Sequence, residues 1–307
     1  MSRQRGNKPG FWFFRLFLKT GGLYAAYGLL YGVALHYWLF DRQAVKAARA
    51  YLSRRFPESG RLMIRLKSYR LFVSQGKQLI DRMAAVSGAV RFDFTLLGKE
   101  TLADLSARES GFVLLTAHAG NWQIAMTTLE RIGKNVYLVM HPEHNEAVKE
   151  SLNISSEGAF IDTIPPAGGP GDVVKIIKLL KHGHIVSFMG DRPYDAATGE
   201  VTFMGDRAAF PLGAFSMAAA AGVPMVMLLA SRTGFKSYTV DFTHVMTPVY
   251  EKGRNKRDQL TQWAQTYADI LTDFFTKVPY QCFLFYDVWQ NREGHERSKE
   301  KRPEDKN

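Results

Sequence analysis

From Gly111 onward, short apolar runs alternate with segments whose apolar positions recur at helical spacing. The runs that predict strands are Phe112–Thr116, Val136–Met140, Ala159–Ile164, Ile185–Met189, Val201–Phe203, Met225–Ala230 and Tyr238–Phe242. Helical periodicity covers Asn121–Ile132, Glu143–Asn153, Asp172–His182, Leu212–Ala221 and Arg257–Lys277. This alternation predicts an α/β fold, a mixed central sheet flanked by helices. The loop from Pro165 to Gly171 is rich in proline and glycine, but elements resume at once, so it is not a domain linker. Between Gln43 and Leu97 the pattern is helical and basic, with Tyr51, Phe56, Met63, Leu66 and Phe72 set among arginines and lysines.

The N-terminus differs. Thr20 to Phe40 is a run of 21 residues without Asp, Glu, Lys or Arg. At about 1.5 Å per residue, a helix of that length matches a hydrocarbon core of about 30 Å. Upstream, Arg3, Arg5, Lys8, Arg15 and Lys19 interleave with Phe11, Trp12, Phe13, Phe14 and Phe17, a mixture suited to a membrane interface. No small-residue cleavage site ends the run, which argues against a signal peptide. Basic residues also follow it, so charge gives no orientation, and spanning and interfacial placements both stay open. The expected organisation is an N-terminal membrane anchor over 1–42, one catalytic domain over 43–290 and a charged, disordered tail over 291–307.

A net charge of +11 implies an attraction to anions. Nucleic acid is a poor match, because no zinc-finger, ribonucleoprotein or basic-zipper motif is present and the aromatics concentrate in the apolar N-terminus. An anionic membrane suits the pattern better. The single cysteine, Cys282, excludes an internal disulfide framework, and its apolar neighbours mark it as a buried, inert thiol. His141, His144, His182 and His184 lack the spacing of a zinc site, so neither metal nor cofactor is expected.

The chemistry points to His118. It sits on a tight turn, Ala117 to Gln123, between a strand and the start of a helix. There an imidazole can act as a base, with the Gly120 and Asn121 amides at the helix start as oxyanion donors. A buried histidine bonded to a carbonyl is the competing, purely structural reading.

Five blocks stand in order: His118-Ala-Gly-Asn-Trp-Gln123, Met189-Gly-Asp-Arg192, Phe203-Met-Gly205, Pro211-Leu-Gly213 and Ala221-Gly-Val-Pro224. Together they resemble the lysophospholipid acyltransferase superfamily, and within it the bacterial lipid A late acyltransferases, over roughly Gly10 to Trp289. The resemblance implies a glycerolipid acyltransferase-like fold on the cytoplasmic face of the bacterial inner membrane. It implies an acyl group moved from an acyl-carrier-protein or coenzyme A thioester to a hydroxyl of a lipid or glycolipid. His118 matches the catalytic histidine, while Gln123 stands where the family has Asp or Glu. Glutamine can hold a tautomer but cannot stabilise an imidazolium as a carboxylate does. Asp191, from the family's Asp-Arg pair, is the candidate replacement. The resemblance also implies substrate contacts from Trp122, Gly205, Pro211 and Gly213. Arg192 and Arg207 either clamp a phosphate or pair with Asp191 and Asp206. Phe203 to Met217 is the expected acyl groove. Pro142 and Asn145 fit the block after the second strand, whereas His141 replaces its arginine. A catalytically degenerate, lipid-binding member is the alternative that Gln123 raises.

Overall fold

The computed structural model describes residues 8–129, 132–140, 161–165, 169–193 and 197–289. Three helices lead: α1 (Lys8–Phe40), α2 (Arg42–Arg55) and α3 (Arg61–Val86). They are followed by β1 (Asp93–Leu97), α4 (Lys99–Ala107), β2 (Phe112–Thr116), α5 (Trp122–Ala125), β3 (Val136–Val139) and β4 (Ile161–Ile164). The remainder is α6 (Pro170–Lys181), β5 (Ile185–Met189), β6 (Thr198–Phe203), β7 (Asp206–Pro211), α7 (Gly213–Ala221), β8 (Met225–Met227), β9 (Leu229–Arg232), β10 (Ser237–Asp241), β11 (Val245–Met246) and α8 (Lys256–Lys277).

The central sheet has the order β11-β8-β2-β5-β3-β4, parallel except for the β11 edge. Every residue of β2 is buried. Its side chains divide between two cores: Val113 and Leu115 join one apolar cluster, Phe112 and Leu114 the other. A sheet covered on both faces needs such a continuous apolar run rather than alternation. The mixed α/β expectation therefore holds.

Four expectations are corrected. Asp93–Leu97 is not helical but a strand, paired parallel to β10 in a separate three-stranded sheet. Its side chains alternate between exposed and half-buried, a weak signal beside the basic helices before it. The Met225–Ala230 run splits into β8 and β9, which belong to different sheets. The helix expected over Asn121–Ile132 is one α-helical turn followed by a 3-10 turn, Met126–Leu129. The Glu143–Asn153 helix lies outside the described residues, as do the first two residues of the strand expected from Ala159 and the tail from 290 onward.

The fourth correction concerns the anchor. The helix α1 kinks at Gly22, whose φ of 63° and ψ of −157° interrupt the helical geometry. Glycine alone enters that region freely. Beyond the kink, Leu23, Ala26, Tyr27, Leu30 and Ala34 are buried, a helical stripe on the side that packs against α3. Among the described residues no helix is long and apolar enough to cross a membrane. Glycine, alanine, tyrosine and histidine dilute the uncharged run, and one face is taken by protein. The spanning form of the anchor is thus unsupported. Tyr24, Tyr31, Leu35, Leu39 and Phe40 remain exposed.

Candidate active site

Parallel pairing of β2 and β5 sets Thr116 beside Met189. His118 lies two residues beyond the first strand end and Asp191 two beyond the second, so equal offsets bring distant residues together. The carboxyl ends of parallel strands are where α/β sheets hold their ligands. Asp191 grips His118 twice: the His118 backbone N–H donates to Oδ2 at 2.6 Å, and Nδ1 lies 2.9 Å from Oδ1. Asp191 is wholly buried, whereas the His118 side chain is 20% exposed. With the Nδ1 proton donated to the carboxylate, Nε2 is left as a free base. The base of the pair is rigid. Both the Gly190 N–H (2.9 Å) and the Tyr267 hydroxyl (2.7 Å) donate to the Thr116 carbonyl. Burial first, and the Asp191 charge second, push the Tyr267 phenol well up, so it stays a neutral donor.

The turn is pinned from the other side. The Phe283 N–H donates to the His118 carbonyl at 2.6 Å, and the Gly120 N–H donates to the Gln281 carbonyl at 2.8 Å. Gly120 is therefore not a free oxyanion donor, which corrects the sequence expectation. Asn121 is buried and caps α5, accepting from the Ile124 N–H at 3.3 Å. Its amide donates to the Gln78 carbonyl at 2.9 Å and to the Tyr238 hydroxyl at 3.4 Å. This side chain positions the turn rather than meeting a ligand. Trp122 is half-buried and packs on the smaller apolar cluster.

Gln123 faces α3 instead of the histidine. Its carbonyl oxygen accepts from Arg82 Nη1 at 2.5 Å. The imidazole is held by Asp191, not by residue 123.

Sequence reasoning missed the polar cluster behind the turn. Asp81, fully buried, accepts from the hydroxyls of Tyr27 and Tyr238 and from Arg232 Nε at 2.9 Å. Burial drives the Asp81 carboxyl above the usual range, opposed by these hydroxyls and by Arg232. The cluster ties α1 to α3, β9 and β10, and through Tyr238 to Asn121. A signal was present: Asp81 is the one acidic residue of α3.

The other anticipated residues fall elsewhere. Arg192 follows Asp191; its guanidinium lies 5.6 Å from the Tyr286 ring, and its Nε is buried without a partner among the described residues. Arg207 is 82% exposed and pairs with Glu200 at 3.3 Å, while Asp206 pairs with Arg54 at 2.7 Å. Arg207 is thus a surface ion pair, though with a different acid from the one expected. Gly205 forms the two-residue turn of the β6–β7 hairpin with Met204. Pro211 ends β7 and Gly213 begins α7. No hydrogen bond or ion pair among the described residues joins these positions to His118 or Asp191. Phe203, Phe210 and Phe215 are buried in the core, and Phe203 stacks on Trp289 at 5.4 Å. They fill the interior, so they do not wall an acyl groove. His141 and Asn145 lie outside the described residues. Cys282 is buried and burial pushes its thiol well up, leaving it unreactive.

The site is thus a partly exposed imidazole held by a buried carboxylate, just beyond the ends of adjacent parallel strands of an α/β fold. The model of the bacterial lipid A biosynthesis acyltransferases matches residues 67–291, so the chain belongs to that family and is an acyltransferase of lipid biosynthesis. The match begins within α3 and leaves α1 and α2 outside it. Among solved structures, the 1-acyl-sn-glycerophosphate (LPA) acyltransferase PlsC from Thermotoga maritima is similar at 12% identity. That likeness spans 80% of this chain and 96% of the other with a TM-score of 0.35, too low to add weight. No curated protein matches the chain.

Proposed function

We propose that this acyltransferase moves an acyl group from an acyl-carrier-protein or coenzyme A thioester to a hydroxyl of a membrane lipid or glycolipid. His118 is the general base and Asp191 its orienting partner. The observation that carries this reading is the two-point contact of Asp191 with His118. His118 Nε2 takes the hydroxyl proton as the oxygen attacks the thioester carbonyl. The C–S bond then breaks and the departing sulfur receives that proton from the imidazolium, whose positive charge Asp191 offsets meanwhile. With the Gly120 amide committed, the Asn121 backbone N–H remains the candidate oxyanion donor, and Arg192 the candidate contact for a phosphate. The non-catalytic alternative drew on Gln123; the Asp191 carboxylate beside the imidazole, just past the end of β5, supports the catalytic reading instead.

Comparing membrane lipids by mass spectrometry, from cells with and without the protein, tests the acceptor class. The expected difference is a lipid gaining one acyl chain. An identical lipid profile would contradict the assignment.

Membrane association on the cytoplasmic face of the bacterial inner membrane belongs to the same proposal. It is supported by the exposed Tyr24, Tyr31, Leu35, Leu39 and Phe40 on α1. Removing α1 is a poor test, because Tyr27 is bonded to Asp81 and Leu23 and Leu30 belong to the core. Replacing Leu35, Leu39 and Phe40 together with Glu spares those contacts. The expected outcome is release from anionic vesicles in sedimentation at physiological salt, with an unchanged circular dichroism spectrum. Cosedimentation equal to wild type would count against an α1-borne interface.

A further inference from the structure

Arg82 lies on α3, 95% removed from solvent, between that helix and the first turn of α5. Among the described residues its guanidinium makes a single hydrogen bond, and the acceptor is neutral: the Gln123 amide oxygen, 2.5 Å from Nη1. Nε and Nη2 are buried and have no partner among the described residues. The neighbouring Asp81 does not help, since its carboxylate is committed to Tyr27, Tyr238 and Arg232. Among the described residues no carboxylate pairs with Arg82. Burial lowers its pKa to about 10, so the group stays cationic at neutral pH. A buried charge ordinarily carries its counter-charge, and its donors are ordinarily all satisfied. Arg82 has neither, and it sits against the helix that opens four residues after His118.

We propose that Arg82, steered by Gln123, receives a phosphate group of a substrate beside the catalytic turn. A guanidinium with Nε and one Nη free presents the parallel pair of N–H donors that a phosphate accepts in a bidentate fashion. The phosphate belongs either to the head group of the acyl acceptor or to the phosphopantetheine arm of the donor; the chemistry at Arg82 is the same. Gln123 is suited to this task. It fixes Nη1 through its carbonyl without supplying the negative charge that would close the site. This inference rests on the acyltransferase reading only for which molecule brings the phosphate; binding itself is observable without turnover.

The test is calorimetric titration of the full-length protein with inorganic phosphate, then with glycerol 3-phosphate and with 4′-phosphopantetheine. Wild type should bind phosphate saturably, and whichever ester binds more tightly identifies the source. Gln123→Glu keeps the guanidinium but adds its missing counter-charge, and should weaken phosphate binding about tenfold or more. Arg82→Met should abolish it. His118→Ala should bind phosphate as wild type does, which separates failure of this site from failure of the base assignment. If Arg82→Met does not fold, as its circular dichroism would reveal, Gln123→Glu alone decides. Absence of phosphate binding by wild type would overturn the proposal. So would wild-type affinity in Gln123→Glu, which would place the anion on Arg192 instead.

Discussion

Asp191→Asn is expected to lower turnover about 10³–10⁴-fold while the protein stays folded. The carboxylate accepts from both the His118 backbone N–H and Nδ1. An amide offers one acceptor and one donor. If its oxygen keeps the backbone contact, its NH₂ faces Nδ1 and forces the proton onto Nε2, the atom that must act as base. The comparable Asp→Asn exchange in the serine-protease triad costs about 10⁴ in turnover through this tautomer error. His118→Ala should fall at least as far, and the double variant no further, because the two residues act as one unit. Steady-state turnover of the three variants checks this. Near-normal turnover in Asp191→Asn would show that the imidazole is oriented by another group.

Gly120→Ala is expected to prevent proper folding, not merely to slow the enzyme. Gly120 has φ of 51°, and a Cβ there would be driven into the Ala230 carbonyl oxygen, which is backbone and cannot turn aside. Relief would break the Gly120–Gln281 hydrogen bond and separate the turn from β9. Combined backbone strain and close overlap belong to the class of substitutions costing about 4 kcal/mol or more. Urea denaturation and soluble yield measure it. A wild-type unfolding midpoint would contradict the packing described here.

Elements buried on both faces were legible in the chain. Phe112–Thr116 and Ile185–Met189 read as strands and are strands with those bounds, because a covered sheet needs unbroken apolar runs. Edge and secondary-sheet elements were harder: β1 and β7 carry charges on exposed positions, and their pairing, not their composition, makes them strands. The anchor was overread because an absence of charge is not hydrophobicity. Half of the α1 pattern is a protein-facing stripe, and a single sequence does not say what the stripe faces. Within the site, the turn around His118 was visible locally. Its junction with Asp191, 73 residues away, depends on strand register, and only the family resemblance hinted at it. The commitments of Gly120 to Gln281 and of Gln123 to Arg82 join segments far apart in sequence, so no local pattern records them.

Acyl transfer itself is the central claim, and following a labelled acyl group tests it most directly. Folded wild type and folded His118→Ala would each receive acyl-carrier-protein or coenzyme A thioesters, with membrane lipid extract as acceptor. Wild type should transfer the label from the thioester to a lipid ester and His118→Ala should not. The same labelled lipid formed at similar rates by both proteins would make His118 structural and contradict the mechanism.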